Sequence, residues 1–147
     1  MNTLSTTLIL GLLIGAIHFI IVGILYQNPF VASLYKEAED KKLPGYRIWE
    51  NKKRYLLSMF LGTQVEVFIL TFGYLFLKDY LPFSPFTTAV ILSVLFTVVR
   101  VYPRFWNMWI QSTYPSKLLI VEIVNGTIST FTIVIGLYFL TLIPLFS

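Results

Sequence analysis

Four long apolar segments constrain this chain more than any other feature of its sequence. They run from Leu8 to Tyr26, from Tyr55 to Leu77, from Pro85 to Ile110 and from Lys117 to Phe146. A helix needs about 20 residues to cross a hydrocarbon core about 30 Å thick, and each segment approaches or exceeds that length. None alternates apolar and polar residues as the strands of a membrane barrel do. The sequence therefore predicts an all-α integral membrane protein, a single four-helix transmembrane domain over residues 1–147.

The composition limits the chemistry that such a bundle can carry. Only 12% of the residues are charged, about half the fraction found in soluble domains. Cysteine is absent and histidine occurs once, so thiolate chemistry is excluded and no metal site is predicted. No glycine-rich phosphate loop and no nucleophile, histidine and acid order is present. We therefore expect no cofactor, no catalytic residues and a non-enzymatic protein.

Basic residues predict the orientation in the membrane. Seven of them follow the first segment, in the loop over residues 27–54: Lys36, Lys41, Lys42, Arg47, Lys52, Lys53 and Arg54. Arg104 and Lys117 flank the loop between the third and fourth segments, whereas Lys78 stands alone between the second and third. Since short cytoplasmic loops are enriched in Lys and Arg, both ends of the chain are predicted to lie outside. A prokaryotic cytoplasmic membrane is the expected location.

The first cytoplasmic loop contains an amphipathic stretch. Phe30, Leu34 and Ala38, with Val31 and Tyr35, form an apolar face, and charged residues from Lys36 to Lys41 form the opposite face. This pattern predicts a short helix on the inner membrane surface, and a solvated charged loop is an equally good interpretation. Membrane lipids are the expected partners, and no nucleic acid is expected.

Polar residues within the apolar segments are the candidate functional residues. Placing an arginine or an aspartate at the centre of a membrane helix costs at least about 2.5–3.5 kcal/mol, so each needs a partner or water. Several recur every three or four residues, which places them on one face of a helix. The candidates are His18, Glu66, Arg100, Arg104, Asn107, Glu122 and Asn125.

Depth along the helices predicts which of these side chains meet. At 1.5 Å per residue, His18 and Glu66 fall near the middle of the membrane, while Arg100 and Glu122 fall closer to the inner surface. We therefore expect His18 to face Glu66 and Arg100 to pair with Glu122. Small residues accompany the polar ones, among them Gly62 and other glycines on the same face as Glu66, which favours close helix packing.

Two interpretations of the polar residues remain open. They could be paired, inert contacts between helices, or they could line a cavity, a proton path or a ligand pocket. Ionisable groups at two depths in one small bundle favour the second interpretation, although a lone histidine such as His18 is more often only hydrogen-bonded.

Two segments resemble a known family. Val22 to Phe30 contains a glycine, an aromatic residue and a proline, and Asn107 to Leu118 is followed by Glu122. These segments resemble the small bacterial and archaeal membrane proteins called domain of unknown function 1761. The chain departs from that family in lacking an arginine before Pro115, in having Glu122 where Asp or Asn is usual, and in having Gly126 for a frequent histidine. The resemblance implies a four-helix membrane fold and no established activity.

Three functions follow from these observations as expectations. The first is a non-enzymatic binding or accessory subunit with a polar interior, acting as a homo-oligomer or within a larger membrane complex. The second is a proton-coupled small-solute transporter or channel that uses His18, Glu66, Arg100 and Glu122. The third is a membrane enzyme acting on a lipid, with Glu66 or Glu122 as acid or base.

Overall fold

The computed structural model describes residues 3–43 and 49–144, and these residues form five helices and no strand. The helices are α1 (Thr3–Gln27), α2 (Pro29–Asp40), α3 (Lys52–Leu77), α4 (Pro85–Gln111) and α5 (Ser116–Thr141). All except α2 are long and apolar enough to cross a membrane. The all-helical prediction with four candidate spans is therefore confirmed.

The helix ends differ from the predicted boundaries in two places. α1 begins at Thr3, ahead of the predicted Leu8, because the intervening residues continue the helix. α5 ends at Thr141, because Pro144 lies three residues on and disfavours the helical conformation just before it. The predicted end at Phe146 lies outside the described residues, as does Arg47 of the basic loop.

Side-chain caps begin three of the helices. The Asn28 side chain accepts a hydrogen bond from the Phe30 amide at 3.0 Å, and Ser84 Oγ accepts one from the Thr87 amide at 3.3 Å. Each cap is followed by a proline at the first helical position, where no amide hydrogen is needed. Asn51 caps α3 in the same way, through the Arg54 amide at 3.1 Å. These caps satisfy amides that have no partner within the helix.

α5 is the central helix of the bundle. It packs against α1, α3 and α4, and its apolar stretch is 44% buried, compared with 28% for each of the other three long helices. Ile133, Val134 and Leu137 of α5 are fully buried against Leu10 and Ile14 of α1 and further core residues of α3 and α4. The fold is therefore held mainly through α5.

α3 and α4 are neighbours in sequence but barely touch. α3 packs mainly on α1, and α4 packs almost entirely on α5. The stripe of small residues on α3 was expected to form a close helix contact. Instead Gly62 and Gly73 line an open groove between α3 and α4, and a side-chain carbon at Gly62 would meet no atom within 4 Å. The expectation was therefore wrong for Gly62, whereas Gly73 does allow close approach, since an added Cβ there would lie 3.1 Å from the Phe96 ring of α4.

α2 is amphipathic and docks on the bundle. It contacts α1 and α5, and Ala38 on its inner face is 1% exposed. Leu34 and Ala38 border a shallow cleft against the start of α5, whereas Phe30 stays 69% exposed. The predicted helix is therefore present, and every residue of its predicted apolar face except Phe30 is at least partly buried.

Candidate functional site

A bidentate ion pair joins α3 to α4. Nε of Arg100 donates to Oε1 of Glu66, and Nη2 donates to Oε2 at 2.7 Å. The Arg100 side chain is 17% exposed and the Glu66 side chain is 38% exposed. This fork geometry is the strongest form of contact between a guanidinium and a carboxylate.

The same arginine also binds α5. Its Nη1 donates to Thr130 Oγ1 at 2.8 Å and to Ser129 Oγ at 3.1 Å, with a longer contact of 3.4 Å to the Gly126 carbonyl oxygen. Thr130 Oγ1 in turn donates to that carbonyl at 2.9 Å. Arg100 therefore connects three helices through one planar group. The sequence placed Ser129 on the polar stripe of α5, but gave no reason to choose it as a partner of Arg100.

His18 extends this network to α1. Its Nε2 lies 2.5 Å from Ser129 Oγ, and both residues are buried. Since Ser129 already accepts from Arg100, its hydroxyl hydrogen is available for His18 Nε2, which favours the tautomer with the hydrogen on Nδ1. Glu66, Arg100, Ser129 and His18 then form one hydrogen-bonded chain across all four long helices.

Two buried side chains have unsatisfied polar atoms: His18, which ends the hydrogen-bonded chain, and Gln64. Within the described part of the protein, His18 Nδ1 and both polar atoms of Gln64 have no hydrogen-bond partner. The Gln64 amide packs against Gly15, which lies one turn before His18 on α1. A Cβ added to Gly15 would lie 2.8 Å from Nε2 of Gln64. An unmet polar group of this kind costs about 1–3 kcal/mol, so this region is polar enough to bind water.

A second cluster lies near the start of α5, around Glu122. The Tyr35 hydroxyl donates to Glu122 Oε1 at 2.6 Å, and Arg104 Nη2 lies 3.5 Å from Oε2. Arg104 is 69% exposed, whereas Glu122 is 18% exposed. Burial, followed by the Glu122 carboxylate, raises the pKa of Tyr35 far above its ordinary value, so the phenol stays neutral and keeps donating.

Both predicted pairs were wrong. His18 binds Ser129 rather than Glu66, and Arg100 binds Glu66 rather than Glu122. Helix side chains point toward the N-terminus of their helix, and α3 and α4 run in opposite directions through their short connection. Arg100 and Glu66 therefore lean toward each other across an offset of about 6 Å, while Glu122 leans away toward Arg104.

The remaining predicted residues differ in their surroundings. Asn125 is 5% exposed on the inner face of α5, between Glu122 and Ser129, and its Nδ2 has no partner among the described residues. Asn107 is exposed on α4, and the structure does not bring it to either cluster. Tyr35 was missed as a partner of Glu122, because its spacing placed it on an apolar face.

The Arg100–Glu66 pair lies at the floor of the groove between α3 and α4. This groove has a volume of about 710 Å³, within the range of small-molecule sites. Its walls are apolar, and Val65, Ile69 and Val99 are each more than 60% exposed there. Gly62 and Gly73 widen it on the α3 side. The groove therefore combines a long apolar surface with one polar centre.

The groups gathered here are hydrogen-bond donors and acceptors from four helices. Among the described residues, no three His, Cys, Asp or Glu side chains come together as metal ligands would. Ser129 and His18 stand at the distance of a nucleophile and its base, but they are 4% and 1% exposed and neither lines the groove. Their contact is a hydrogen bond that joins α1 to α5.

Fold and site together define an all-helical protein with four candidate membrane spans and a polar network across them. No family model, curated protein or solved structure matches the chain. The resemblance to domain of unknown function 1761 therefore stays a prediction.

Proposed function

We propose that this protein is a multi-pass membrane protein that binds an amphiphile in the groove between α3 and α4. The observation that carries the proposal is the position of the Arg100–Glu66 pair, which is partly exposed on the floor of an apolar groove. An ion pair that served only to join helices would be better placed where the helices pack tightly. Here α3 and α4 barely touch, and the carboxylate faces open space.

In this proposal the protein acts without catalysis, as a binding or accessory subunit. Its environment is the cytoplasmic membrane of a prokaryote, with both ends outside. The basic residues support that orientation, because they flank α2, the start of α3 and the connection from α4 to α5. Membrane lipids surround it, and a second copy of the chain or a larger complex completes the functional unit.

Saturable binding at the groove tests this function. The chain has no cysteine, so a single cysteine can carry a fluorescent bimane label without background. Ile69→Cys reports on the groove, and Ile20→Cys is a matched control on α1, with exposed fractions of 65% and 63%. Nitroxide-labelled single-chain amphiphiles quench bimane on contact. We expect saturable quenching at position 69 and only linear, partition-driven quenching at position 20.

Substitution of Gly62 completes the test. Gly62→Leu places a leucine side chain in the groove one turn from Glu66, and Gly23→Leu adds the same side chain on α1; at both positions an added Cβ has no atom within 4 Å. Saturable quenching should disappear with Gly62→Leu and persist with Gly23→Leu. Equal, linear quenching at both labelled positions in the unsubstituted background would refute the proposed function.

Proton-coupled transport is the second candidate, favoured by the hydrogen-bonded chain from Glu66 to His18. Glu66 and His18, the two ends of this hydrogen-bonded chain, can bind and release protons. Arg100 between them stays protonated, so a proton path would need water beside the hydrogen-bonded chain. A four-helix unit is small for alternating access, so transport would require a dimer. Proton flux into liposomes should then fall with Glu66→Gln, and flux that is absent or unchanged rules this function out.

A further inference from the structure

We infer that the groove selects a neutral amphiphile whose head group is a hydroxyl, such as a long-chain alcohol or an acylglycerol. This inference rests on the proposed binding function and adds the chemical class of the ligand. It follows from the hydrogen bonds that the Arg100–Glu66 pair leaves unused, and from the net charge of that pair.

The carboxylate of Glu66 has acceptor capacity to spare. It receives one hydrogen bond on each oxygen, both from Arg100, whereas a carboxylate offers about four acceptor positions. Its side chain is also the more exposed partner, at 38% against 17%. A head group in the groove therefore meets an acceptor first, and it needs a donor.

Arg100 has one hydrogen that its contacts with Glu66 and α5 do not use. Its Nε and Nη1 are engaged with Glu66 and α5, and Nη2 makes a single bond, to Glu66 Oε2. Nη2 carries two hydrogens, so one remains to be donated. That hydrogen points away from the one that binds Glu66, so the contact that matters for a hydroxyl head group is its own donation to a free acceptor position of Glu66. A methyl ether of the same length can only accept.

Charge excludes the two obvious alternatives. The Arg100–Glu66 pair is neutral as a whole, so an ammonium or a carboxylate head group would bring an unbalanced charge into an apolar groove. Moving an isolated charge into such surroundings is strongly unfavourable, whereas burying a neutral hydroxyl that donates to Glu66 is not. The apolar walls formed by Val65, Ile69 and Val99 then contact the alkyl chain of the ligand.

Competition against the nitroxide probe at the bimane-labelled Ile69→Cys tests the head group. The competitors share one alkyl chain and differ only in the head: hexadecanol, methoxyhexadecane, hexadecanoic acid and hexadecylamine. We expect hexadecanol to displace the probe at a membrane concentration about tenfold below that of the ether, the usual effect of one hydrogen bond to a charged group. The acid and the amine should compete no better than the ether.

Glu66→Gln supplies an independent readout. It keeps the shape of the side chain but removes the negative charge, leaving Arg100 unneutralised. We expect the preference for the alcohol to fall and hexadecanoic acid to become the best competitor. Gly62→Leu should remove displaceable binding altogether, and Gly23→Leu should leave it unchanged.

Each other outcome contradicts a different claim. Equal competition by alcohol and ether, or a better acid or amine, overturns the hydroxyl assignment while the groove remains a binding site. No saturable binding of any amphiphile overturns the proposed function itself. Quenching at position 69 by a nitroxide carried on a second copy of the chain would assign the groove to self-association and refute both.

Discussion

Replacing Arg100 and Glu66 singly and together measures how strongly the two side chains are coupled. Arg100→Met leaves the Glu66 carboxylate without its only ionic partner and deprives Ser129 and Thr130 of a donor. Glu66→Met leaves the guanidinium unneutralised. Removing one partner of a buried pair costs about 3–5 kcal/mol. Because Glu66 is only partly buried, the lower end applies, and each single substitution should lower the free energy of unfolding by about 3 kcal/mol.

The double substitution should cost far less than the two single ones combined. Two methionines leave no unpaired charge, and replacing an ion pair with apolar residues is often nearly neutral. What remains is the loss of the hydrogen bonds to Ser129 and Thr130, about 1–1.5 kcal/mol each. The double variant should therefore lose about 3 kcal/mol, which gives a coupling energy of about 3 kcal/mol.

The matched control uses the pair predicted from helix depth. Arg100→Met combined with Glu122→Met should be additive within about 0.5 kcal/mol, because the two side chains share no contact in the structure. Reversible unfolding in mixed micelles titrated with a denaturing detergent, followed by circular dichroism, measures all of these free energies. Additivity for Arg100 and Glu66, or strong coupling for Arg100 and Glu122, would refute the assigned pairing.

Three further predictions concern Tyr35 and the orientation of the helices in the membrane. Tyr35→Phe removes the 2.6 Å hydrogen bond to Glu122 and should destabilise the protein by about 1–2 kcal/mol in the same unfolding assay. Because the pKa of Tyr35 is raised on folding, the stability that its phenol contributes is complete below about pH 10 and is lost at higher pH. Tyr35→Phe should therefore reduce the loss of stability at alkaline pH. An unchanged pH profile of stability would argue against the contact. Lys53→Cys should react with an impermeant maleimide only in inside-out vesicles and Tyr80→Cys only in right-side-out ones, and the reverse pattern would invert the proposed orientation.

The helices could be predicted from the sequence because their signals are local. Apolar length fixes a candidate span, and Asn28 and Ser84, each followed by proline, mark helix starts within a few residues. The cap at Asn51 was missed, since asparagine in a charged loop has many other uses. The end of α5 was placed too late, because the apolar run continues past the last helical turn.

The partners within the site could not be predicted by the same reasoning. Depth along a helix locates a Cα atom, whereas an arginine side chain reaches several ångströms from it, toward the N-terminal end of its helix. The predicted pairs compared the levels of Cα atoms, and for that reason they failed as side-chain contacts. The docking of Tyr35 on Glu122 depends on where α2 turns after Pro29, which no periodicity encodes.

The placement of the Arg100–Glu66 pair has a structural consequence that packing alone does not supply. α3 and α4 barely touch along their length, so this fork is the chief polar link across the groove in the described part of the chain. It joins the two helices through two long side chains, and in the proposed function the alkyl chain of the ligand lies between Ile69 and Val99. Val101 of α4 packs closely on Gly126 of α5, since a Cβ added to this glycine would lie 3.2 Å from Cγ2 of Val101. This contact fixes α4 on α5. The groove thus has one wall, α4, packed on the central helix α5 and the other, α3, packed mainly on α1, and the ion pair between them supplies its polar centre.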